Sequence, residues 1–172
     1  DVKQSLFGEL EDIVTANAVL ATNTSSLSVT AIAAKLKHPQ RFAGFHFFNP
    51  VPLMKLVEVI RAQATSTETH EALMAFARAI GKEPVAVPDR GGFIVNRLLI
   101  PYLLDAIRCL EQGLGTVEDV DTAMKLGVNY PAGPFEWLDQ LGAPYVIGVL
   151  NALADVTRSE RYRASPYLAE RI

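Results

Sequence analysis

The stretch FAGFHFFNPVPLMKLVEVI, residues 42–60, contains two short apolar runs separated by a loop with two prolines. The aromatic run 42–48 and the β-branched run 56–60 are both typical of buried strands. Each run contains one residue that can ionise, His46 in the first and Glu58 in the second. The sequence therefore predicts two adjacent strands that each carry an ionisable side chain.

Helices and strands alternate on both sides of these two strands. Apolar residues at helical spacing and short apolar runs predict helices at 2–17, 28–36 and 65–80 and strands at 19–22 and 85–87. Ser28 is the predicted N-cap of the second helix, and Thr65 with Glu68 has the spacing of a capping box at the start of the third. Such alternation is typical of an α/β sheet with crossover connections, so we expect this class of fold for residues 1–90.

The composition changes at PDRGG, residues 88–92, where a domain junction is expected. Residues 91–172 contain only helical patterns, which predict an all-α second domain. Its first helix, 93–112, is strongly apolar; we expect Pro101 to kink or split it, and its apolar surface to pack partly against a second copy. Further helices are predicted at 117–126 (capped by Thr116 with Asp119), at 134–140, at 146–155 and from Ser165 onward.

Composition and charge argue against several classes of protein. Hydrophobic residues make up 49% of the chain, as in globular proteins, and the formal net charge of -3 leaves no basic surface for nucleic acid. No apolar run reaches the ~20 residues that a membrane span requires. Cys109 is the only cysteine, so we expect no internal disulfide and a reducing, cytoplasmic setting. Because the chain begins at Asp1 without a methionine and ends at Ile172 within a helical pattern, we expect a fragment of a longer polypeptide.

The three histidines have different surroundings in the sequence. His38 lies in a charged loop and His70 on a polar helix face, and we expect both to be solvated and without a role. His46 lies among aromatic residues, where a lone histidine is more often a packed core residue than a catalytic base. Glu58 shifts this expectation, because a carboxylate in an apolar strand is costly to bury unless it is paired.

Two alternatives for Glu58 stay open at this level. In the first, its strand lies at the edge of the sheet and the carboxylate faces water. In the second, Glu58 accepts a hydrogen bond from one ring nitrogen of His46, which fixes the tautomer and makes His46 a candidate general base.

Other polar residues are candidates for ligand contacts. The run TNTSS, residues 22–26, follows a predicted strand, and ligands of α/β sheets bind where strands end; the alternative is a turn that caps the next helix. Asn96 lies on a buried helix face and needs a partner, either the backbone or a ligand. Nucleophilic catalysis and metal binding are not expected, because Ser25 lacks a GxSxG context, Cys109 lies in an apolar helix and the histidines lack metal-ligand spacing.

Four motifs resemble the 3-hydroxyacyl-CoA dehydrogenase family. They are NTSSL at 23–27, GFHFFNPVPLMKLVEVI at 44–60, GFIVNR at 92–97 and KLGVNYPAGPFE at 125–136. The resemblance implies that residues 1–90 are the C-terminal half of a Rossmann-like NAD-binding domain. It also implies that residues 91–172 are a helical domain that closes over the substrate and forms a homodimer.

The resemblance further implies NAD-dependent oxidation of a (3S)-3-hydroxyacyl-CoA to a 3-ketoacyl-CoA, in fatty-acid β-oxidation or related acyl-CoA metabolism. His46 matches the family's general base and Glu58 the carboxylate that orients it, with the neighbouring phenylalanines shielding the base from water. Ser25 matches a serine that contacts the nicotinamide and the 3-oxygen of the substrate, and Asn96 an asparagine beside the reacting oxygen. Positions that contact the cofactor fall on Lys3, Asn23, Ser25 and Asn49.

The chain departs from the family pattern in its glycines. The family begins with a strand and a GxGxxG turn that holds the NAD pyrophosphate, and no such motif occurs here. We therefore expect the chain alone to bind NAD weakly and to turn over little substrate.

Segments 127–134 and 159–168 resemble bacterial members that act on short-chain or dicarboxylic acyl-CoAs, such as 3-hydroxybutyryl-CoA or 3-hydroxyadipyl-CoA.

Two other interpretations stay open. The helical half could serve as a non-catalytic dimerisation module. The chain could also belong to another class of nicotinamide-dependent dehydrogenase. In those enzymes a lysine usually takes part in the reaction, whereas this chain has His46 and Glu58 as the candidate residues.

Overall fold

The computed structural model of the chain describes residues 2–170, which divide after Phe93 into two compact units. The first unit contains α1 (Val2–Ile13), β1 (Leu20–Thr22), α2 (Val29–Ala33), a 3-10 turn (Pro39–Arg41), β2 (Phe42–Phe47), β3 (Leu56–Arg61), α3 (Thr67–Ala79) and β4 (Glu83–Pro88). The second contains α4 (Val95–Glu111), α5 (Val117–Val128), α6 (Pro134–Leu141), α7 (Ala143–Thr157), a 3-10 turn (Glu160–Tyr162) and α8 (Pro166–Ala169). The predicted fold class, α/β followed by all-α, is confirmed.

The strands of the first unit form one four-stranded sheet in the order β1-β2-β3-β4. β1 is parallel to β2, β2 is antiparallel to β3, and β3 is parallel to β4. The ends of β1 and β2 and the starts of β3 and β4 therefore lie along the same edge of the sheet. We call it the carboxyl edge; it is marked by Thr22, Phe47, Leu56 and Glu83.

Helices cover both faces of this sheet. The face toward α1 and α2 buries Phe42 and Ile60, and the face toward α3 buries Phe45 and Val59. Because both faces are covered, β2 and β3 are apolar at nearly every position instead of at alternate positions. A Cβ atom at Gly44 would lie only 2.8 Å from the Cβ of Ile60, so the packing at this point requires glycine.

The turn before α3 differs from the predicted capping box. The hydroxyl of Thr65 accepts a hydrogen bond from the Ala62 amide (2.9 Å) and donates one to the Phe42 carbonyl (2.7 Å), so Thr65 belongs to the turn after β3. Ser66 is the N-cap, and its hydroxyl accepts a hydrogen bond from the Thr69 amide (3.1 Å). The prediction was wrong because a carbonyl distant in sequence uses the hydroxyl of Thr65.

The helical unit buries one face of α4 against α6, α7 and α8. α4 continues unbroken through Pro101, so of the two expected outcomes, a kink or a split, the split does not occur. Pro101 is itself buried, and the burial of this helix face offsets the ~3 kcal/mol that an interior proline costs.

The predicted N-caps Ser28, Thr116 and Ser165 are present, each accepting a hydrogen bond from an amide three residues later. No helix within residues 2–170 is both long enough and apolar enough to cross a membrane.

The N-terminus of α6 is capped by a buried carboxylate from α5. Asp121 accepts hydrogen bonds from the amides of Phe135 (2.8 Å) and Glu136 (3.1 Å). Gly133 lies so close to this carboxylate that an added Cβ atom would overlap it. The contact therefore joins α5 to α6 and depends on a glycine at this position.

Candidate active site

His46 and Glu58 are paired across the two inner strands. They are direct partners in the antiparallel register of β2 and β3, and His46 Nδ1 lies 2.8 Å from Glu58 Oε2. His46 is 5% exposed and Glu58 is 1% exposed. Because β3 has a partner strand on each side, the alternative of an edge strand with Glu58 facing water is wrong. The hydrogen bond expected from the sequence is present.

This pair determines which ring nitrogen of His46 carries a proton. A carboxylate only accepts hydrogen bonds, so Nδ1 of His46 is the donor to Glu58 and Nε2 keeps its lone pair. No residue in the described part of the chain forms a hydrogen bond with Nε2. The arrangement can take up a proton at Nε2, and the Glu58 carboxylate would stabilise the imidazolium that forms.

Two aromatic rings pack against the imidazole. The ring centroid of Phe48 lies 4.6 Å from that of His46, and the centroid of Phe93 lies 5.5 Å away. Phe45 and Phe47 point to the opposite face of the sheet, where their rings contact each other (5.1 Å) beneath α3. The expectation that the neighbouring phenylalanines shield His46 is wrong for these two, because side chains alternate between faces along a strand.

The loop after β1 reaches the end of β2. Asn23 Oδ1 accepts a hydrogen bond from the amide of Phe47 (3.0 Å), the residue directly after His46. Lys3 Nζ donates to the hydroxyl of the buried Thr22 (3.3 Å), which ties α1 to the same loop. Ser25 is half-buried within this loop. These candidate residues therefore share the carboxyl edge with the histidine–glutamate pair.

The loop 48–55 connects β2 to β3 at the carboxyl edge. Asn49 is exposed and is followed by a cis peptide bond to Pro50. The Pro50 carbonyl accepts hydrogen bonds from the amides of Leu53 and Met54, both at 3.0 Å. Asn49 thus begins a turn that has its own internal hydrogen bonds.

Lys82 contacts this loop, although nothing in the sequence singles it out. Its Nζ donates to the carbonyls of Val51 (2.5 Å) and Met54 (2.8 Å). A lysine just after the glycine that ends a helix is usually solvated, so no local pattern predicts this contact. Only the pairing of β3 with β4 brings Lys82 beside the loop.

Asn96 lies in the helical unit, near the start of α4. It is 3% exposed, and its Nδ2 donates to the hydroxyl of Tyr145 on α7 at 3.0 Å. The buried amide has a partner, as expected, but this partner is a side chain, whereas the expectation named the backbone or a ligand. Tyr145 was not identified from the sequence, because the residues are far apart along the chain.

The other histidines differ from each other. His38 is exposed, as expected. His70 is half-buried, so the expectation that it is solvated is wrong; burial, with a smaller contribution from the charge of Arg61, lowers the pKa of its ring. Within residues 2–170, no three side chains of histidine, cysteine, aspartate or glutamate are grouped so that they could hold a metal ion.

Comparison with protein families gives two matches in succession. Residues 1–90 match the family described as 3-hydroxyacyl-CoA dehydrogenase, NAD binding domain. Residues 92–172 match the family described as 3-hydroxyacyl-CoA dehydrogenase, C-terminal domain.

Individual relatives agree with these matches. Mitochondrial hydroxyacyl-coenzyme A dehydrogenase of Homo sapiens is 55% identical over 82% of this chain and 45% of its own length. The 3-hydroxybutyryl-CoA dehydrogenase of Clostridioides difficile is 42% identical over 100% of this chain and 61% of its own. The crystal structure of (S)-3-hydroxybutyryl-CoA dehydrogenase from Ralstonia eutropha has a TM-score of 0.96 and 40% identity over 99% of this chain and 60% of its own. The chain therefore spans about half to three fifths of the length of these relatives.

Proposed function

This chain belongs to the 3-hydroxyacyl-CoA dehydrogenase family, and we propose that it provides the acid–base part of the NAD-dependent oxidation of (3S)-3-hydroxyacyl-CoA to 3-ketoacyl-CoA. The observation that carries the proposal is the buried pair of His46 and Glu58, with 2.8 Å between Nδ1 and the carboxylate. Oxidation of an alcohol requires removal of the hydroxyl proton, and a histidine oriented by a carboxylate is suited to remove it. The names of the bacterial relatives support the same class of substrate.

In the direction of oxidation, His46 Nε2 takes the proton of the 3-hydroxyl group. The electron pair of the O–H bond forms the carbonyl while a hydride leaves C3, and a bound NAD would supply the acceptor for that hydride. The Glu58 carboxylate stabilises the imidazolium on His46, which returns the proton to the carbonyl oxygen in the reverse direction. The rings of Phe48 and Phe93 keep water from the imidazole, which strengthens its electrostatic interaction with Glu58.

Polar residues of the carboxyl edge fit the nicotinamide end of the cofactor. We propose Lys3, Asn23, Ser25 and Asn49 as its contacts, because ligands of α/β sheets bind where strands end and these residues surround the ends of β1 and β2. Ser25 would also contact the 3-oxygen of the substrate. The proposed place of the Asn96 amide beside the reacting oxygen rests on the family resemblance.

The pyrophosphate of NAD needs a separate set of hydrogen-bond donors. The family supplies them from a GxGxxG turn at a helix N-terminus, and residues 1–172 contain no such motif. We therefore propose that the 172-residue chain by itself binds NAD weakly and turns over little. Titration of the purified chain with NAD tests this; rapid NADH formation from (3S)-3-hydroxybutyryl-CoA by the chain alone would contradict it.

The activity itself is tested in the longest natural polypeptide that contains these residues. We expect NADH formation from (3S)-3-hydroxybutyryl-CoA, and we expect His46→Gln to lower kcat by about 10²–10⁴-fold because the proton acceptor is lost. His38→Gln is the matched control, since His38 is exposed, and it should leave kcat unchanged. A His46→Gln variant with the parent's rate would rule out the assignment of the base.

We also propose that the substrates are short-chain acyl-CoAs and that the protein is cytoplasmic.

We further propose that the protein forms a homodimer through the helical unit. Exposed apolar side chains in that unit, such as Leu98 (70% exposed) and Leu126 (81% exposed), support the dimer. A sedimentation measurement that finds a clean monomer would contradict it. A non-catalytic dimerisation module would also explain these side chains, but it would not need a buried histidine–glutamate pair.

A further inference from the structure

We propose that Lys82 is a positioning residue, which holds the loop 48–55 beside His46 and keeps Phe48 and Asn49 in place for the reaction. The proposal deepens the proposed function and, in its effect on catalysis, rests on it. Lys82 lies between α3 and β4, outside the loop, and within the described residues no hydrogen bond joins its side chain to His46. It acts only through the backbone of the loop.

The contact consists of two charge-assisted hydrogen bonds. The ammonium group of Lys82 donates to the carbonyls of Val51 (2.5 Å) and Met54 (2.8 Å). These two carbonyls flank Pro52 and Leu53 in the middle of the loop, so one side chain binds the loop at two points. Hydrogen bonds with an ionised partner are about twice as strong as those between neutral groups.

The backbone at Lys82 is anchored on one side by α3 and on the other side by the sheet. Gly81, with φ of 76°, ends α3, and the amide of Lys82 donates to the Ala77 carbonyl of that helix (2.9 Å). The next residue, Glu83, begins β4, and its amide donates to the Lys55 carbonyl at 2.8 Å. The ammonium group is therefore presented from a rigid part of the fold.

The loop gains little from hydrophobic burial. Leu53 is 75% exposed and Met54 is 40% exposed. The internal hydrogen bonds of the loop all use the Pro50 carbonyl, which accepts from the amides of these two residues. A loop with few buried contacts opens readily unless hydrogen bonds tie it down, and the ammonium group supplies such bonds.

Loss of this contact should affect the start of the loop more than the base. Phe48 lies 4.6 Å from the imidazole, and Asn49 is only two residues from Val51, so both would move when the loop opens. His46 is held independently by its strand and by Glu58. We therefore expect a higher KM for NAD, through Asn49, with only a small change in kcat or in the pH profile, because Phe93 and Glu58 stay beside His46 when Phe48 moves.

The first experiment needs no activity and uses the 172-residue chain. In Lys82→Met and Lys82→Gln, hydrogen exchange at the amides of Leu53 and Met54 should accelerate about tenfold, and the ring protons of His46 should lose the chemical-shift contribution of the Phe48 ring. Lys82→Arg should restore part of the protection, since arginine can still donate to carbonyls.

Lys55→Met is the matched control, because it removes a lysine of the same loop whose side chain forms no hydrogen bond within the described residues. Unchanged exchange at Leu53 and Met54 in both Lys82 variants would overturn the proposal.

The second experiment measures kcat, KM and the pH profile of the Lys82 variants in the longest natural polypeptide that contains the chain. A several-fold higher KM for NAD with nearly unchanged kcat supports the positioning role. Faster exchange with unaltered kinetics would overturn that role and leave Lys82 a structural residue only. If the parent polypeptide makes no NADH, the proposed function fails, while the exchange and ring-proton measurements still decide whether Lys82 holds the loop.

Discussion

The substitution Glu58→Gln separates the charge of this side chain from its shape. Glutamine is nearly the same size, and its amide oxygen can still accept the hydrogen bond from His46 Nδ1, which spans 2.8 Å in the native pair. Only the negative charge is removed. We therefore expect the fold and the tautomer of His46 to be retained and the stabilisation of the imidazolium to be lost.

The size of the effect follows from the burial of the pair. Two unit charges about 4 Å apart interact by about 4 kcal/mol at an effective dielectric constant of ~20. His46 is 5% exposed and Glu58 is 1% exposed, so screening by water is small. Since about 1.4 kcal/mol changes a rate tenfold, kcat for oxidation should fall roughly a thousandfold. KM should change little, because Glu58 acts on the substrate only through His46.

The assay follows NADH formation from (3S)-3-hydroxybutyryl-CoA in the longest natural polypeptide that contains the chain. Glu83→Gln is the control, since it makes the same chemical change at an exposed position on the neighbouring strand, and its kcat should equal that of the parent. Thermal unfolding of both variants checks that the fold is kept. A folded Glu58→Gln variant whose kcat stays within about threefold of the parent would refute the role of the charge.

Three further predictions concern stability. Gly44→Ala should lower the free energy of unfolding by about 1–3 kcal/mol in chemical denaturation, because the new Cβ atom would lie 2.8 Å from a side-chain carbon of β3. Gly133→Ala should lower it by roughly 3 kcal/mol, because the methyl group would displace the Asp121 carboxylate from its two amide hydrogen bonds. The hydrogen bond from Lys125 lowers the pKa of Glu136, so the stability that Glu136 contributes is present above the ordinary carboxyl range and is lost as the pH falls through the lowered pKa. Glu136→Gln should therefore make unfolding less dependent on pH in the acid range.

Controls for these substitutions exist in the same chain. Gly8 lies in α1 with no atom within 4 Å of an added Cβ, so Gly8→Ala should not destabilise the protein and should stabilise the helix by about 0.5–1 kcal/mol. If Gly44→Ala or Gly133→Ala were no more harmful than Gly8→Ala, the steric explanation would be wrong. For Glu136→Gln, a stability curve that follows the parent at every pH would contradict the role assigned to the Lys125 hydrogen bond.

Features that depend on neighbours in sequence were predicted well. The strands at 42–48 and 56–60 were recognised because short apolar and β-branched runs fit a buried sheet. The N-caps Ser28, Thr116 and Ser165 were found because capping uses residues only three positions apart.

Features that depend on distant contacts were missed or mistaken. Thr65 was assigned as a cap, but its hydroxyl is used by the carbonyl of Phe42, 23 residues away. The shielding of His46 was assigned to its neighbours in the strand, whereas Phe93 from the end of the unit supplies part of it. Lys82 was not singled out at all, because its partners are the carbonyls of Val51 and Met54 and backbone atoms carry no sequence signal.

By itself, the sequence determined the class of fold and the identity of the two residues that make the pair. An ionisable side chain in each of two apolar strands is costly to bury alone, so the position of Glu58 within an apolar strand already favoured a pair with His46. Only the tertiary structure decided that the partnership forms. β3 becomes an inner strand because β4 pairs on its far side, and the antiparallel register with β2 sets the two side chains directly opposite each other. Strand order and register result from the packing of the whole sheet and its helices, and no local pattern encodes them.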